Sequence, residues 1–155
     1  MFLMFPIMCI LQKDLVEAVD GWLDQGKEGK LYGKTYTPVP PNFAYRQQSR
    51  QMLQFGIYTH SNRVEVNARV APMPPQLRRV IQHLVSTGAL PQVRSRTGKD
   101  ECPWCCTINI YEPGQWIPHH IDNHKFKRPF ATLSLLSEEV REYTHARRVH
   151  FLTMF

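Results

Sequence analysis

The sequence predicts an α+β fold, because helical patterns come early in the chain and strand patterns cluster late. Apolar residues recur at helical spacing in residues 14–27, and again after Pro74, where Gly88 marks the end of a second helix. Three late strands are predicted, at residues 106–111, 116–122 and 130–136. A strand-rich sandwich is the alternative that this order leaves open.

The remaining segments are assigned from local composition. Further strands are predicted over residues 30–36 and 51–59, with a proline-rich and polar loop between them and a turn at residues 112–115. The apolar run at residues 1–11 falls short of the ~20 residues that a membrane-spanning helix needs. We interpret this apolar run as a buried strand or an atypical start. The whole chain, residues 1–155, is interpreted as one domain.

Composition narrows the class of protein. With 43% hydrophobic and 21% charged residues, the chain is neither collagen-like nor wholly disordered. A formal charge of +6 suits a nucleic-acid partner, and it also suits many soluble enzymes. Cys102, Cys105 and Cys106 are three of the four cysteines and share one pentapeptide, which favours reduced thiols. Without a recognisable secretory signal, we expect a cytoplasmic or nuclear location.

A histidine and a carboxylate stand two residues apart near the end of the predicted strand 116–122. In a strand, His120 and Asp122 would point to the same face. One imidazole and one carboxylate are two of the three ligands of a non-haem Fe(II) site, which takes a second histidine from elsewhere. For a bare His-x-Asp tripeptide, surface polar residues at a strand end are the favoured explanation.

The residues around this tripeptide resemble the AlkB family of Fe(II)- and 2-oxoglutarate-dependent dioxygenases. Residues 109–122 read NIYEPGQWIPHHID, and residues 126–138 continue as FKRPFATLSLLSE. The subgroup they resemble is the plant-type one that demethylates N6-methyladenosine in RNA. The resemblance implies a partial double-stranded β-helix (jelly-roll-like) core with two flanking helices, and Fe(II) and 2-oxoglutarate as cofactors.

Transferred to this sequence, the family pattern implies roles for four residues. His120 and Asp122 would be catalytic iron ligands, while Asn109 and Tyr111 would hydrogen-bond 2-oxoglutarate. Ordinary polar strand residues are the alternative for the last two. The resemblance implies single-stranded RNA, such as mRNA, as the partner. It implies no association with a membrane. The candidate phosphate-binding side chains, each of which could also be a solvated surface charge, are Arg46, Arg50 and Arg128.

The resemblance stops before the end of the chain. Family members continue to a distal iron-binding histidine and two arginines that bind 2-oxoglutarate, and neither His145 nor His150 matches that pattern. We therefore expect an incomplete dioxygenase domain with weak or no activity. The alternative is a noncatalytic RNA-binding or regulatory fragment. A thiol oxidoreductase built on Cys102 and Cys105 is a weaker third hypothesis, because the motif runs into a strand instead of opening a helix.

Overall fold

The computed structural model describes residues 4–44, 47–60, 63–90, 93–94, 100–101, 104–118, 120–121, 123–126, 130–135 and 149–154. Helices and strands alternate irregularly along these residues. The helices are α1 (Met4–Lys27), α2 (Pro41–Ala44) and α3 (Pro75–Ser86). The strands are β1 (Tyr36–Thr37), β2 (Gln51–Phe55), β3 (Tyr58–His60), β4 (Arg63–Glu65), β5 (Val93–Arg94), β6 (Asp100–Glu101), β7 (Cys106–Tyr111), β8 (Ala131–Leu135) and β9 (Val149–Met154).

The largest sheet has five strands in the order β1-β2-β7-β9-β8, and every neighbouring pair is antiparallel. One row across it joins Leu53, Ile108, Leu152 and Leu133. Two further pairs, β3 with β4 and β5 with β6, form separate hairpin-like sheets. The α+β class is confirmed. The predicted jelly-roll core is not, since no sheet in the described part of the chain is closed.

The core lies between one face of this sheet and the two longer helices. Alternate residues of a strand share a face, and every second residue of β2 and β7 is buried against α1 and α3. The fully or almost fully buried members of this cluster include Leu15, Val19, Leu23, Leu53, Phe55, Leu77, Ile81, Ile108 and Ile110. Each such side chain contributes about 1.5–3 kcal/mol relative to an exposed position. The opposite face of the sheet is thereby left for polar residues.

The predicted strand over residues 51–59 is wrong as a single element, because the chain turns at Gly56. Gly56 has φ +82°, and a Cβ there would clash with the carbonyl oxygen of Trp104. The buried Gln54 then holds the next strand. Its Oε1 accepts hydrogen bonds from the backbone N–H and the hydroxyl of Thr59, both 2.8 Å long.

Three other predicted elements differ in the structure. Over residues 4–11 the expected strand is wrong: α1 begins at Met4 and tolerates Pro6, because a proline in the first helical turn breaks no internal hydrogen bond. Of the residues predicted as a strand at 30–36, only Tyr36 belongs to a strand, β1. Gly33 forms an isolated β-bridge with Val70. In the predicted strand 116–122, the described residues contain no strand.

Strand β9 is an element that the sequence analysis did not assign. It pairs with β7 on one side and β8 on the other, near the middle of the sheet. The other late elements agree with prediction: α3 covers Pro75–Ser86, and β7 and β8 occupy their expected positions. Of the described helices, none has the length and apolar character that crossing a membrane requires.

Candidate functional site

The candidate site is the face of β7 that points away from the helices. Ile108 and Ile110 face the core, so Asn109 and Tyr111 lie on the other face. Asn109 pairs with Met52 of β2. Extending this register by one residue places Arg50 across from Tyr111. Two residues proposed for 2-oxoglutarate and one proposed for RNA therefore share one face of the sheet.

Arg50 and Tyr111 interact directly. The Arg50 side chain donates a hydrogen bond to the Tyr111 hydroxyl. Burial raises the pKa of Tyr111 above its usual 10.0, and the charge and hydrogen bond of Arg50 oppose that rise. Tyr111 is therefore a neutral phenol at pH 7. A phenol that accepts a bond from arginine still carries a proton that it can donate.

Unpartnered polar atoms mark the same region. Among the described residues, four buried side-chain atoms have no hydrogen-bond partner: Asn109 Oδ1, Arg50 Nε, Ser49 Oγ and Ser134 Oγ. Asn109 and Ser134 belong to one row of the sheet, since both pair with residue 151 of β9. Burying such a group unpaired costs about 1–3 kcal/mol, which hydrogen bonds from an ordered water or a polar ligand would offset.

The turn after β7 is fixed to the segment before β2. Gln115 N–H donates to the carbonyl of Glu112, and Glu112 N–H donates to Gln115 Oε1, each at 2.9 Å. Trp116 N–H donates to the carbonyl of Gln47 at 2.9 Å. The predicted turn at residues 112–115 is confirmed, with Gly114 at φ +81°. Because Trp116 N–H is used in this way, Trp116 does not donate to a sheet ladder.

The predicted iron ligands are placed only in part. His120 is exposed on the segment after the turn, and its Nδ1 lies 3.0 Å from the carbonyl of Pro118. A backbone carbonyl at one ring nitrogen is typical of a histidine that binds metal through the other. Asp122 lies outside the described residues, and its alignment with His120 on one face stays a prediction. In the described segments, no group of three His, Cys, Asp or Glu residues could hold a metal.

Only some of the predicted RNA-binding arginines and of the clustered cysteines are among the described residues. Arg46, Arg128 and Cys102 lie outside the described residues. Cys105 and Cys106 are buried. Burial, with a smaller contribution from Cys105, raises the pKa of Cys106, whereas a redox or nucleophilic cysteine needs a lowered pKa.

Ser134 was not predicted as a member of the polar face, and the buried Ser49 was not predicted as a site residue. Ser134 could have been found from its position between Leu133 and Leu135, because alternation puts it on the face opposite those leucines. Ser49 lies just before β2 and has no such pattern. Arg50, predicted as a phosphate-binding side chain, contacts Tyr111, which was predicted to bind 2-oxoglutarate.

Curated proteins similar to this chain come from one family. The RNA demethylase ALKBH9B of Arabidopsis thaliana is 35% identical over 136 residues, which cover 82% of this chain and 25% of that protein. The RNA demethylase ALKBH10B of the same plant is 27% identical over 137 residues, or 83% of this chain and 22% of that protein.

A third relative matches a shorter stretch. The tRNA (carboxymethyluridine(34)-5-O)-methyltransferase ALKBH8 of Macaca fascicularis is 55% identical over 40 residues, covering 25% of this chain and 6% of that protein. Neither a family model nor a solved structure matches the chain. The chain spans about a quarter of the length of the two plant proteins. Over most of its length, this chain is a homologue of the AlkB-family RNA demethylases.

Proposed function

We propose that this chain carries the 2-oxoglutarate-binding part of an Fe(II)- and 2-oxoglutarate-dependent dioxygenase that demethylates N-methylated bases in RNA. The observation that carries the proposal is the group formed by Arg50, Asn109 and Tyr111 on one sheet face, with two buried atoms unpartnered. Similarity to two RNA demethylases supports the choice of reaction.

The chemistry of this group fits 2-oxoglutarate. A dicarboxylate needs hydrogen-bond donors and positive charge, and Arg50 supplies both, including its unpartnered Nε–H. Tyr111 supplies a neutral hydroxyl, and the Asn109 amide can present its NH₂ group after rotation about its last bond. The three residues therefore would orient the cosubstrate, and Arg50 would offset its charge.

The proposed metal residues are His120 and Asp122. His120 fits the role because its Nδ1 is already placed against a backbone carbonyl. When bound, iron with 2-oxoglutarate and O₂ supplies the oxidising chemistry that removes an N-methyl group as formaldehyde. The third ligand and the completeness of the domain stay predictions, as does the level of activity of the isolated chain.

The proposed substrate is N6-methyladenosine in single-stranded RNA such as mRNA. The plant relatives are named as RNA demethylases, whereas the third relative is named for tRNA modification over a much shorter match. A methylated base must leave a duplex stack before an enzyme can act on it, so a single strand is the favoured partner. Arg46 and Arg128 are proposed phosphate contacts, and the proposed location is cytoplasmic or nuclear. Arg50, predicted with them, is proposed for 2-oxoglutarate instead because it contacts Tyr111.

The test is titration calorimetry of 2-oxoglutarate into the chain, with Mn²⁺ in place of Fe²⁺. We expect binding that needs the metal and is lost in Asn109→Leu and in the double variant His120→Ala/Asp122→Ala. Thr107→Val, on the same face of β7, is the matched control and should bind like the wild type. A folded wild-type chain that binds RNA but not 2-oxoglutarate would refute the proposal in favour of a noncatalytic RNA-binding fragment.

A further inference from the structure

Trp116 stands out among the described residues that the proposed chemistry does not use. Half of its surface is exposed (50%), although it is a large apolar side chain. Trp104, at the other end of β7, is also exposed (62%), whereas Trp22 packs edge-on against Phe55, with 5.1 Å between ring centroids. An exposed tryptophan held on a fixed backbone is a suitable surface for stacking a planar ligand.

The backbone under Trp116 is fixed from two sides. Its own N–H bonds the carbonyl of Gln47, and the preceding turn is closed by two hydrogen bonds between Glu112 and Gln115. Gly114 sits close to the Gln47 side chain, so that an added Cβ would lie 3.2 Å from its Nε2. A side chain on a fixed backbone has less conformational entropy to lose on binding than one on a free loop, which favours stacking.

Trp116 also lies at the end of the sheet that carries the candidate cofactor site. Gln47, its backbone partner, is three residues before Arg50, which contacts Tyr111. Three residues of chain span at most about 10 Å. A base stacked on Trp116 would therefore lie close to the polar face.

The chain carries a formal charge of +6, which favours a polyanionic partner. Carboxylates stand near both exposed tryptophans in the sequence: Glu112 and Asp122 near Trp116, and Asp100 and Glu101 near Trp104. Trp104 is therefore a control of similar local charge and exposure.

We infer that the Trp116 indole stacks on a base of single-stranded RNA next to the nucleotide at the cofactor site. The inference rests on the proposed function for the choice of RNA. Stacking on an aromatic ring is tolerant of base identity and contributes ~1–3 kcal/mol per base. Trp116 would thus set the path of the strand and leave the choice of methylated base to other residues.

The test measures binding of a fluorescein-labelled adenosine octamer by anisotropy. Trp116→Ala should weaken binding about 5- to 150-fold, while Trp116→Phe and the matched control Trp104→Ala stay within about threefold of the wild type. The dependence of affinity on salt should keep the same slope in Trp116→Ala, because the phosphate contacts remain. Equal thermal midpoints would establish that the variants are folded.

Three results would overturn the inference: no binding of the octamer by the wild type, equal loss in Trp116→Ala and Trp104→Ala, or equal binding of a blunt RNA duplex. The last two would assign Trp116 to general packing or to another kind of partner. Titration of 2-oxoglutarate separates this test from the proposed function. RNA binding that depends on Trp116 in a chain without 2-oxoglutarate binding would support stacking and refute the dioxygenase.

Discussion

Replacing Asn109 by leucine is expected to stabilise the ligand-free chain while it abolishes 2-oxoglutarate binding. Asn109 Oδ1 is buried without a partner, which costs about 1–3 kcal/mol, and leucine has a similar shape without the polar atoms. Leucine also suits a strand better than asparagine does. We therefore expect the free energy of unfolding to rise by about 1–2 kcal/mol, or about 2–8 °C in the thermal midpoint.

The assay is urea unfolding followed by circular dichroism, with and without Mn²⁺ and 2-oxoglutarate. A ligand at 100 times its dissociation constant adds about 2.7 kcal/mol to the wild type and should add nothing to Asn109→Leu. Thr107→Val is the control, because the Thr107 hydroxyl is not among the unpartnered atoms, and it should bring no gain in stability.

A fall of more than about 1 kcal/mol in the free energy of unfolding of ligand-free Asn109→Leu would contradict this prediction. Such a loss would mean that the amide makes a stabilising contact in the folded chain. A variant that still gains stability from 2-oxoglutarate would place Asn109 outside the ligand site.

Further predictions concern ionisation, backbone conformation and packing. The free energy of unfolding should fall as pH rises above 9, because the buried Cys106 keeps a proton that the unfolded chain releases near the ordinary pKa of 9.0. In urea titrations, Cys106→Ala should reduce this slope by up to about 1.4 kcal/mol per pH unit. Gly56→Ala should lower the free energy of unfolding by roughly 3 kcal/mol or more, because its Cβ would clash with the Trp104 carbonyl oxygen. Gly88→Ala has φ +72° but open space around it, and should lower it by about 1–2 kcal/mol. Equal losses in thermal unfolding would contradict the clash. Ile108→Ala should lose about 2–5 kcal/mol and Ile108→Val about 0.5–1.5 kcal/mol by the same assay, and similar values for both would mean that this side chain is not closely packed.

Elements set by local pattern were predictable from the sequence. Helix α3 has Pro75 at its start and Gly88 just past its end, and its apolar residues repeat at helical spacing. Strand β7 alternates apolar and polar residues, which placed Asn109 and Tyr111 on one face before any pairing was known. In both cases a few neighbouring residues carry the whole signal.

Elements set by distant partners were not predictable in this way. Strand β9 owes its place to pairing with β7 and β8, and a sequence pattern does not name a strand's neighbours. The predicted strand 116–122 failed for a related reason. Trp116 N–H bonds the carbonyl of Gln47, and Pro118 has no N–H to offer a ladder.

The proposed 2-oxoglutarate residues and the proposed metal ligand His120 are therefore positioned by different constraints. Asn109 and Tyr111, the proposed 2-oxoglutarate residues, lie on a strand whose other face is packed into the core, so a register shift would expose Ile108 and Ile110 and is strongly disfavoured. His120 sits on an exposed segment without such a constraint, and its position depends on the turn at residues 112–115 and on the contact with Pro118. Perturbing that turn should thus weaken metal binding before it affects the Arg50–Tyr111 pair, which β2 and β7 hold independently.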